Sequence, residues 1–225
     1  MKKLALFDID GVIYEGHSIF DSIQNWEKGG FIKKGLWKIV LSLFDRYKSG
    51  ELNYKQVVDE MLLQYSKYLN GKKYEDVLNY NLDSIERNKS KIFPYFTDLV
   101  GKLQITHDLY FVTANFDFTA EAFAKTFGLN GFLSSKIKKE NDVVKEGIEL
   151  SLGGNKGIVI NLINKYGDGG SIAVGDSEND ADMLDLVEFP FVMEPNEKLA
   201  EIAKTKNWQV VNRDTIADII LKHAK

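Results

Sequence analysis

The sequence predicts an α/β protein: a parallel sheet with a small α-helical cap domain inserted after the first strand. Three observations lead to this prediction. The chain begins with a continuous apolar run, LALF at 4–7, which is typical of a strand buried inside a parallel sheet. Residues 17–88 show helical periodicity throughout. From Pro94 onward, strand-like and helix-like segments alternate, which indicates βαβ units.

Four short helices are predicted in the insertion. The stretch YKQVVDEMLLQYSKYL at 54–69 places apolar residues at intervals of three and four, as an amphipathic helix requires. Similar patterns lie at 19–26, 36–47 and 74–85, separated by KGG, KSGE and NGKK. Because the insertion follows the first strand directly, it is positioned to cover the end of that strand.

The rest of the chain supplies the remaining strands of the sheet. Strands are predicted at 109–113, 132–137, 171–175 and 189–193, and helices near 117–127, 156–166, 179–187 and 196–206. Gly128 and Gly167 end two of these helices. The predicted domains are therefore a core made of residues 1–14 and 91–225, and a cap made of residues 15–90.

Composition excludes several classes of function. The net charge of −4 argues against a general nucleic-acid binder, which would show a basic face. The chain has no cysteine, so disulfides, cysteine-bound metals and thiol nucleophiles are excluded, and a metal must be held by oxygen or histidine. The most apolar internal stretch, at 36–44, is shorter than the ~20 residues of a membrane-spanning helix, and Asp8 and Asp10 interrupt any secretory signal pattern. We expect a cytoplasmic protein without a membrane partner.

Polar residues follow several of the predicted strands. Asp8 and Asp10 come after the first strand, at the sheet edge where α/β proteins bind ligands, although a strand-ending turn explains these two residues equally well. The other stretches have ordinary explanations too: Thr113 as a strand residue, Lys156 as a solvated charge, and GDSENDADML at 175–184 as an acidic helix start. The GGNKG segment around Lys156 lacks the spacing of a P-loop.

Taken together, the order and spacing of these stretches resemble the haloacid dehalogenase-like (HAD) hydrolase superfamily. FDIDGV resembles its first motif, FVTAN its second, Lys156 its third and GDSENDADML the GDxxxD form of its fourth. The first and fourth motifs are specific, whereas the other two carry little weight alone. The tail EPNEKLAEIAKTKNWQVV and the placement of the insertion are similar to the phosphoserine phosphatase-like branch. The resemblance implies a Rossmann-like sheet with helices on both faces.

The resemblance also implies a Mg²⁺-dependent phosphatase that hydrolyses a small phosphorylated metabolite, phosphoserine-like esters included, through an aspartyl-phosphate. Asp8 would be the nucleophile and Asp10 the general acid and base, with Thr113 and Lys156 completing the catalytic group. The residues expected to bind substrate are Thr113, Ala114, Asn115, Lys156 and Asn179. Those expected to hold Mg²⁺ are Asp8, the backbone carbonyl of Asp10, Asp176 and Asp180.

Several alternatives remain open at this point. A sugar-phosphate mutase or another phosphotransferase shares the first motif, and a non-catalytic binding protein is conceivable. A receiver domain also clusters Asp, Thr and Lys around an aspartyl-phosphate, but it is about half this length and leaves Asp176 and Asp180 without a role. For a phosphoserine-like substrate, the candidates to bind its charged ends are Glu15, His17, Arg46 and Arg87. Most cap aromatics, such as Tyr14, Phe20, Trp26, Trp37 and Tyr65, are expected to be core residues.

Overall fold

The structure is a computed structural model that describes residues 2–224, and its strands form one mostly parallel sheet. The strands are β1 (Lys3–Phe7), β2 (His107–Phe116), β3 (Gly131–Glu140), β4 (Val143–Leu150), β5 (Ile172–Gly175), β6 (Phe189–Met193) and β7 (Gln209–Val211). Their order in the sheet is β4-β3-β2-β1-β5-β6-β7. Only β3 and β4 pair antiparallel among the described strands. The predicted fold class is confirmed, with one antiparallel edge strand that was not expected.

The helices divide between the insertion and the sheet layers. Those of the insertion are α1 (Ser18–Lys28), α2 (Leu36–Lys48), α3 (Tyr54–Leu69) and α4 (Tyr74–Arg87). Those that follow are α5 (Pro94–Leu103), α6 (Asp117–Phe127), α7 (Ile160–Tyr166), α8 (Ala181–Leu184), α9 (Glu197–Lys206) and α10 (Ile216–His223). Short 3-10 turns at Lys89–Lys91, Lys156–Val159 and Glu178–Asp180 complete the regular structure of the described residues. No described helix is both long and apolar enough to cross a bilayer, and the cytoplasmic location stays a prediction.

Four elements of the structure were not predicted from the sequence: β4, β7, α5 and α10. The β3–β4 hairpin turns through Asn141 and Asp142, whose φ angles are +51° and +58°. Two consecutive residues with positive φ match the tight turn that hairpins prefer, and Asn and Asp tolerate that conformation. The strand itself, VVKEGIEL, mixes charged residues and a glycine with few buried positions, so it lacks a clear strand pattern. Strand β7 has only three residues.

Alternate residues of β1 enter two different cores. Ala5 and Phe7 pack in a cluster with residues of α5, α6 and α10, whereas Leu4 and Leu6 pack with residues of α7, α8 and α9. This alternation is the geometry of a strand whose two faces are both covered. The predicted placement of helices on both faces of the sheet is therefore correct.

A third apolar cluster lies in the helical insertion. Trp26, Leu62 and Tyr65 are buried at its centre. The cluster continues into the sheet region through Phe116 and Phe118. Helix α3 begins with a capping box, in which the Asn53 side chain accepts from the backbone of the third helical residue. Because the cluster is shared, the division into a 15–90 cap and a two-part core stays a prediction.

Candidate active site

Asp8 lies directly beyond the C-terminal end of β1 and is almost completely buried. Its backbone N–H donates to the Val174 carbonyl, which continues the pairing of β1 with β5. The side-chain oxygen Oδ1 accepts a hydrogen bond from Lys156 Nζ at 2.7 Å. Lys156 is 2% exposed and also donates to Asp180 Oδ1 at 2.6 Å. One ammonium group thus bridges two carboxylates that are far apart in sequence.

Asp180 organises the loop that follows β5. Its Oδ2 accepts hydrogen bonds from the backbone N–H groups of Asp176 and Ser177 at 3.0 and 3.1 Å. The carboxyl group is fully buried. Asp180 therefore holds both Lys156 and the backbone that carries Asp176.

The carboxylates of Asp8, Asp176 and Asp180 converge on one point. Each offers an oxygen within 4.8 Å of the oxygens of the other two. Around an octahedral Mg²⁺, adjacent oxygen ligands lie about 3.0 Å apart and opposite ones about 4.2 Å apart, so these three side chains must move closer together to hold the ion. Three carboxylates against one ammonium leave the cluster with excess negative charge. The donor set and charge therefore fit Mg²⁺, and the three predicted side-chain ligands lie together.

Burial and mutual repulsion disturb the acidity of this cluster. Burial, followed by the neighbouring charges of Asp180 and Asp8, raises the pKa of Asp176 to about 9. Burial also raises the pKa of Asp8 to about 7, although Lys156 opposes that shift. Burial disfavours the ammonium form of Lys156, but the carboxylates of Asp180 and Asp8 outweigh it and raise its pKa above the usual range. Without a metal ion, the cluster is short of positive charge.

The Asp10 side chain is not part of the group of carboxylates formed by Asp8, Asp176 and Asp180. Its Oδ1 accepts from the Ser18 backbone N–H at 2.9 Å, and its Oδ2 accepts from Asn115 Nδ2 at 3.2 Å. Asn115 Nδ2 also donates to Ser18 Oγ at 3.1 Å. The carboxylate is therefore fixed by the first residue of α1 and by β2, and it lines the cavity described below. Its separation from the three clustered carboxylates suits a role other than that of a side-chain metal ligand.

The end of β2 brings Thr113, Ala114 and Asn115 to the same cavity. The Asn115 backbone N–H donates to Thr113 Oγ1 at 3.2 Å, so this amide already has a partner. The Ala114 carbonyl accepts from Ser135 Oγ, which in turn accepts from the Leu152 N–H at 3.0 Å. Ser135 thus connects β2 to the loop that precedes Lys156. Sequence reasoning missed this serine, because a lone buried serine carries no motif.

A cavity of about 450 Å³ joins these polar groups to the insertion. Its volume is within the range of small-molecule sites. Asp8, Asp10, Lys156, Asp176 and Asn179 line the side formed by the sheet. The opposite side includes Tyr54, which the sequence analysis did not select. Burial raises the pKa of Tyr54, and the charges of Lys156 and Asp8 also act on its hydroxyl.

Three of the four candidates to bind the charged ends of a phosphoserine-like substrate do not line this cavity. His17 does line it. Arg46 pairs instead with Glu51 at 2.7 Å on the protein surface. Arg87, at the end of α4, and Glu15 are exposed outside the lining. The charges expected to hold the two ends of phosphoserine are therefore not collected at the site.

Solved structures share this fold at low sequence identity. A protein of unknown function from Bordetella pertussis Tohama I is 23% identical, with 95% of this chain and 99% of that chain covered and a TM-score of 0.76. A phosphoserine phosphohydrolase-like protein from Francisella tularensis subsp. tularensis SCHU S4 is 14% identical, covers 97% and 99%, and has a TM-score of 0.70. A phospho-aspartyl intermediate analogue of phosphoserine phosphatase is 17% identical, covers 94% and 93%, and has a TM-score of 0.65.

Sequence comparison identifies the family. No curated protein sequence matches the chain. The sequence profile of the haloacid dehalogenase-like hydrolases matches residues 5–185. This range includes Lys156 and the three clustered carboxylates of Asp8, Asp176 and Asp180. That match extends over most of the chain and agrees with the predicted resemblance. The chain therefore belongs to the haloacid dehalogenase-like hydrolase family.

Proposed function

We propose that the protein is a Mg²⁺-dependent phosphatase that hydrolyses a small phosphate monoester through an aspartyl-phosphate on Asp8. The observation that carries this proposal is the bridge from Lys156 to Asp8 and Asp180, with Asp176 converging on the same point. A phosphate monoester is doubly negative, so an attacking carboxylate needs positive charge close by. Asp8, Asp176, Asp180 and the Asp10 carbonyl would hold Mg²⁺, which supplies that charge when bound.

Asp8 performs the nucleophilic step. One oxygen of Asp8 attacks phosphorus while the bond from phosphorus to the ester oxygen breaks. Lys156 keeps the Asp8 side chain in one orientation and adds positive charge beside it. Thr113 retains its hydroxyl hydrogen as a donor for a phosphoryl oxygen, because the Asn115 N–H donates to that hydroxyl rather than accepting from it. The product of this step is a phosphate group covalently attached to Asp8.

Asp10 transfers protons in both steps. In its acid form it donates a proton to the leaving ester oxygen, which departs as the alcohol. The resulting carboxylate then takes a proton from water as that water attacks phosphorus and the bond to Asp8 breaks. The hydrogen bonds from Ser18 and Asn115 hold the Asp10 carboxylate in place for this exchange. The net reaction consumes one water and releases inorganic phosphate.

Release of inorganic phosphate from a generic aryl phosphate tests the proposal. We expect turnover with Mg²⁺ and none with excess EDTA. Asp8→Asn should abolish turnover and labelling by phosphate, whereas Asp10→Asn should still form the acyl-phosphate and accumulate it. Turnover in metal-free buffer, or label on Ser177 or a histidine, would contradict the mechanism. Transfer of the phosphate to an added sugar phosphate, without net release, would favour the phosphotransferase alternative.

A further inference from the structure

The cavity at the active site has two chemically different ends. Strand ends and the loops after them form a polar floor, which contains Asp8, Asp10 and Lys156. The helices of the insertion form an apolar roof. Its apolar side chains include Phe20 from α1, Phe44 from α2, and Val57, Val58, Met61 and Leu62 from α3. A phosphate ester bound with its phosphoryl group at the floor directs its alcohol part toward this roof.

We infer that the substrate is the phosphate ester of an uncharged, apolar alcohol, with an aliphatic or aromatic group that packs against the roof. This inference rests on the proposed function and narrows its substrate. It differs from the phosphoserine-like ester that the family resemblance implies.

Among the described residues that line the cavity, Lys156 is the only lysine or arginine. Its two hydrogen bonds are to the carboxylates of Asp8 and Asp180, so its charge is already paired at the end of the cavity where the phosphoryl group would bind. Glu178 lines the cavity but pairs with Lys198 and Asn196. A carboxylate on the alcohol part would therefore lose its hydration without gaining an ion pair to a lysine or arginine. That cost selects against amino-acid esters such as phosphoserine.

His17 is the only histidine among the described residues that line the cavity. Its ring packs edge-on against Phe20 at 5.0 Å and Phe44 at 5.6 Å between centroids. Phe20 and Phe44 are also in contact, at 5.4 Å. The imidazole thus belongs to an aromatic group within the roof. Aromatic faces also attract quaternary ammonium groups, so choline phosphate is the main competing ester. The aliphatic residues of α3 favour the uncharged alcohol.

The size of the effect can be stated per methylene. Burial of one CH₂ group is worth roughly a fourfold change in an equilibrium constant. In a series of ethyl, butyl and hexyl phosphates, kcat/KM should therefore rise with chain length, by about fourfold per added methylene at most. The alcohols in this series have similar leaving-group acidity, so the increase reports contact with the roof rather than intrinsic reactivity.

The test is a comparison of kcat/KM with Mg²⁺ for this series, 2-phenylethyl phosphate, phosphoserine and choline phosphate. We expect hexyl and 2-phenylethyl phosphates to exceed ethyl phosphate by at least about tenfold, and phosphoserine to fall below ethyl phosphate. A preference for phosphoserine or choline phosphate, or no dependence on chain length, would overturn the inference while leaving the phosphatase activity in place. If no ester is hydrolysed, the proposed function itself fails.

Substitutions at Phe44 add an independent test. Phe44→Ala should lower the ratio of hexyl to ethyl phosphate about tenfold, and Phe44→Lys should in addition raise the relative rate with phosphoserine, because it places a cation in the roof. Leu41→Ala and Leu41→Lys are matched controls on the same helix, since Leu41 is 39% exposed and outside the cavity. Equal selectivity in the Phe44 and Leu41 variants would refute a role for the roof. The ester series with the wild-type protein decides the question if a Phe44 variant does not fold.

Discussion

Replacement of Asp176 by asparagine should stabilise the metal-free protein at alkaline pH while it removes the response to Mg²⁺. The pKa of Asp176 is raised to about 9 in the folded protein, chiefly by burial. In the unfolded chain it is about 4. Between these two values the folded state binds more protons than the unfolded state, so stability falls as pH rises. Asparagine has no such proton to lose, and this part of the pH dependence disappears.

The magnitude follows from the pH window. One pKa unit corresponds to about 1.36 kcal/mol, and pH 8 lies about four units above the unfolded pKa, so the upper limit is about 5 kcal/mol. Asp176 is only partly buried, and solvent screens part of this energy; a gain of about 1–3 kcal/mol is the expected range. For a chain of this size, 1 kcal/mol shifts Tm by about 2–4 °C. We therefore expect Asp176→Asn to melt about 5 °C higher than wild type at pH 8 in EDTA.

Thermal melting at pH 6 and pH 8, with EDTA and with Mg²⁺, measures this effect. The advantage of the variant should shrink at pH 6, and Mg²⁺ should raise the Tm of wild type more at pH 8 than at pH 6, because the ion displaces bound protons. Asp182→Asn is the matched control: Asp182 is exposed on the same segment, and its variant should follow wild type in every buffer. If Asp176→Asn melts below wild type at pH 8 in EDTA, the negative charge of the Asp176 carboxylate does not destabilise the metal-free protein, and the reasoning is wrong.

Three further predictions concern groups that support the site or the fold. Lys156→Met leaves two buried carboxylates without their ion-pair partner. The free energy of unfolding, measured by urea denaturation, should fall by about 3–5 kcal/mol at pH 8 and by less at pH 6. Equal losses at the two pH values would contradict this prediction. Burial lowers the pKa of His107, so just below pH 6.5 the unfolded state binds more protons than the folded state, and stability decreases as the pH decreases. His107→Gln should make the free energy of unfolding less dependent on pH between pH 6.5 and 5. Ser135→Ala removes the partner of two backbone groups and should cost about 1–3 kcal/mol in the same assay, whereas Ser49→Ala on the surface should cost less.

The acidic residues could be predicted from the sequence because their chemistry demands particular side chains at the ends of strands. Asp8 follows a buried apolar run, and Asp176 and Asp180 follow another, so topology alone places them at one edge of the sheet. Ser18, Ser135 and Tyr54 were not predicted. Their importance comes from contacts across the fold, such as the Ser18 N–H on Asp10, and those contacts have no local pattern.

The secondary structure shows the same distinction. The four helices of the insertion were predicted because their apolar periodicity is strong, whereas β4 was not predicted because its partner strand, rather than its own composition, makes it a strand. The roof of the cavity could be predicted only in part. Its residues were recognised as apolar helix positions, but their orientation toward Asp8 depends on how the insertion packs, which periodicity does not determine.

Gly11 tests whether the position of Asp176 depends on the backbone after β1. Gly11 has a φ of +76°, and a Cβ atom there would lie 2.1 Å from Asp176 Oδ2. The conflicting atom is the end of a side chain, so the fold can accommodate alanine if the Asp176 carboxylate moves. That movement takes one oxygen out of the cluster formed with Asp8 and Asp180. Gly11→Ala should therefore weaken Mg²⁺ binding and catalysis without unfolding the protein.

Gly50→Ala separates this clash from backbone strain. Gly50 has a φ of +78°, nearly the same as Gly11, but a Cβ atom there meets nothing within 4 Å. Both variants should lose about 1–2 kcal/mol of stability, because alanine is strained at positive φ. Only Gly11→Ala should also show a weaker rise of Tm with Mg²⁺ and a fall in kcat/KM of about 100-fold or more. If Gly11→Ala keeps the wild-type Mg²⁺ response and kcat/KM, as Gly50→Ala should, Asp176 does not need the space that glycine leaves, and the proposed ligand set is wrong at that residue.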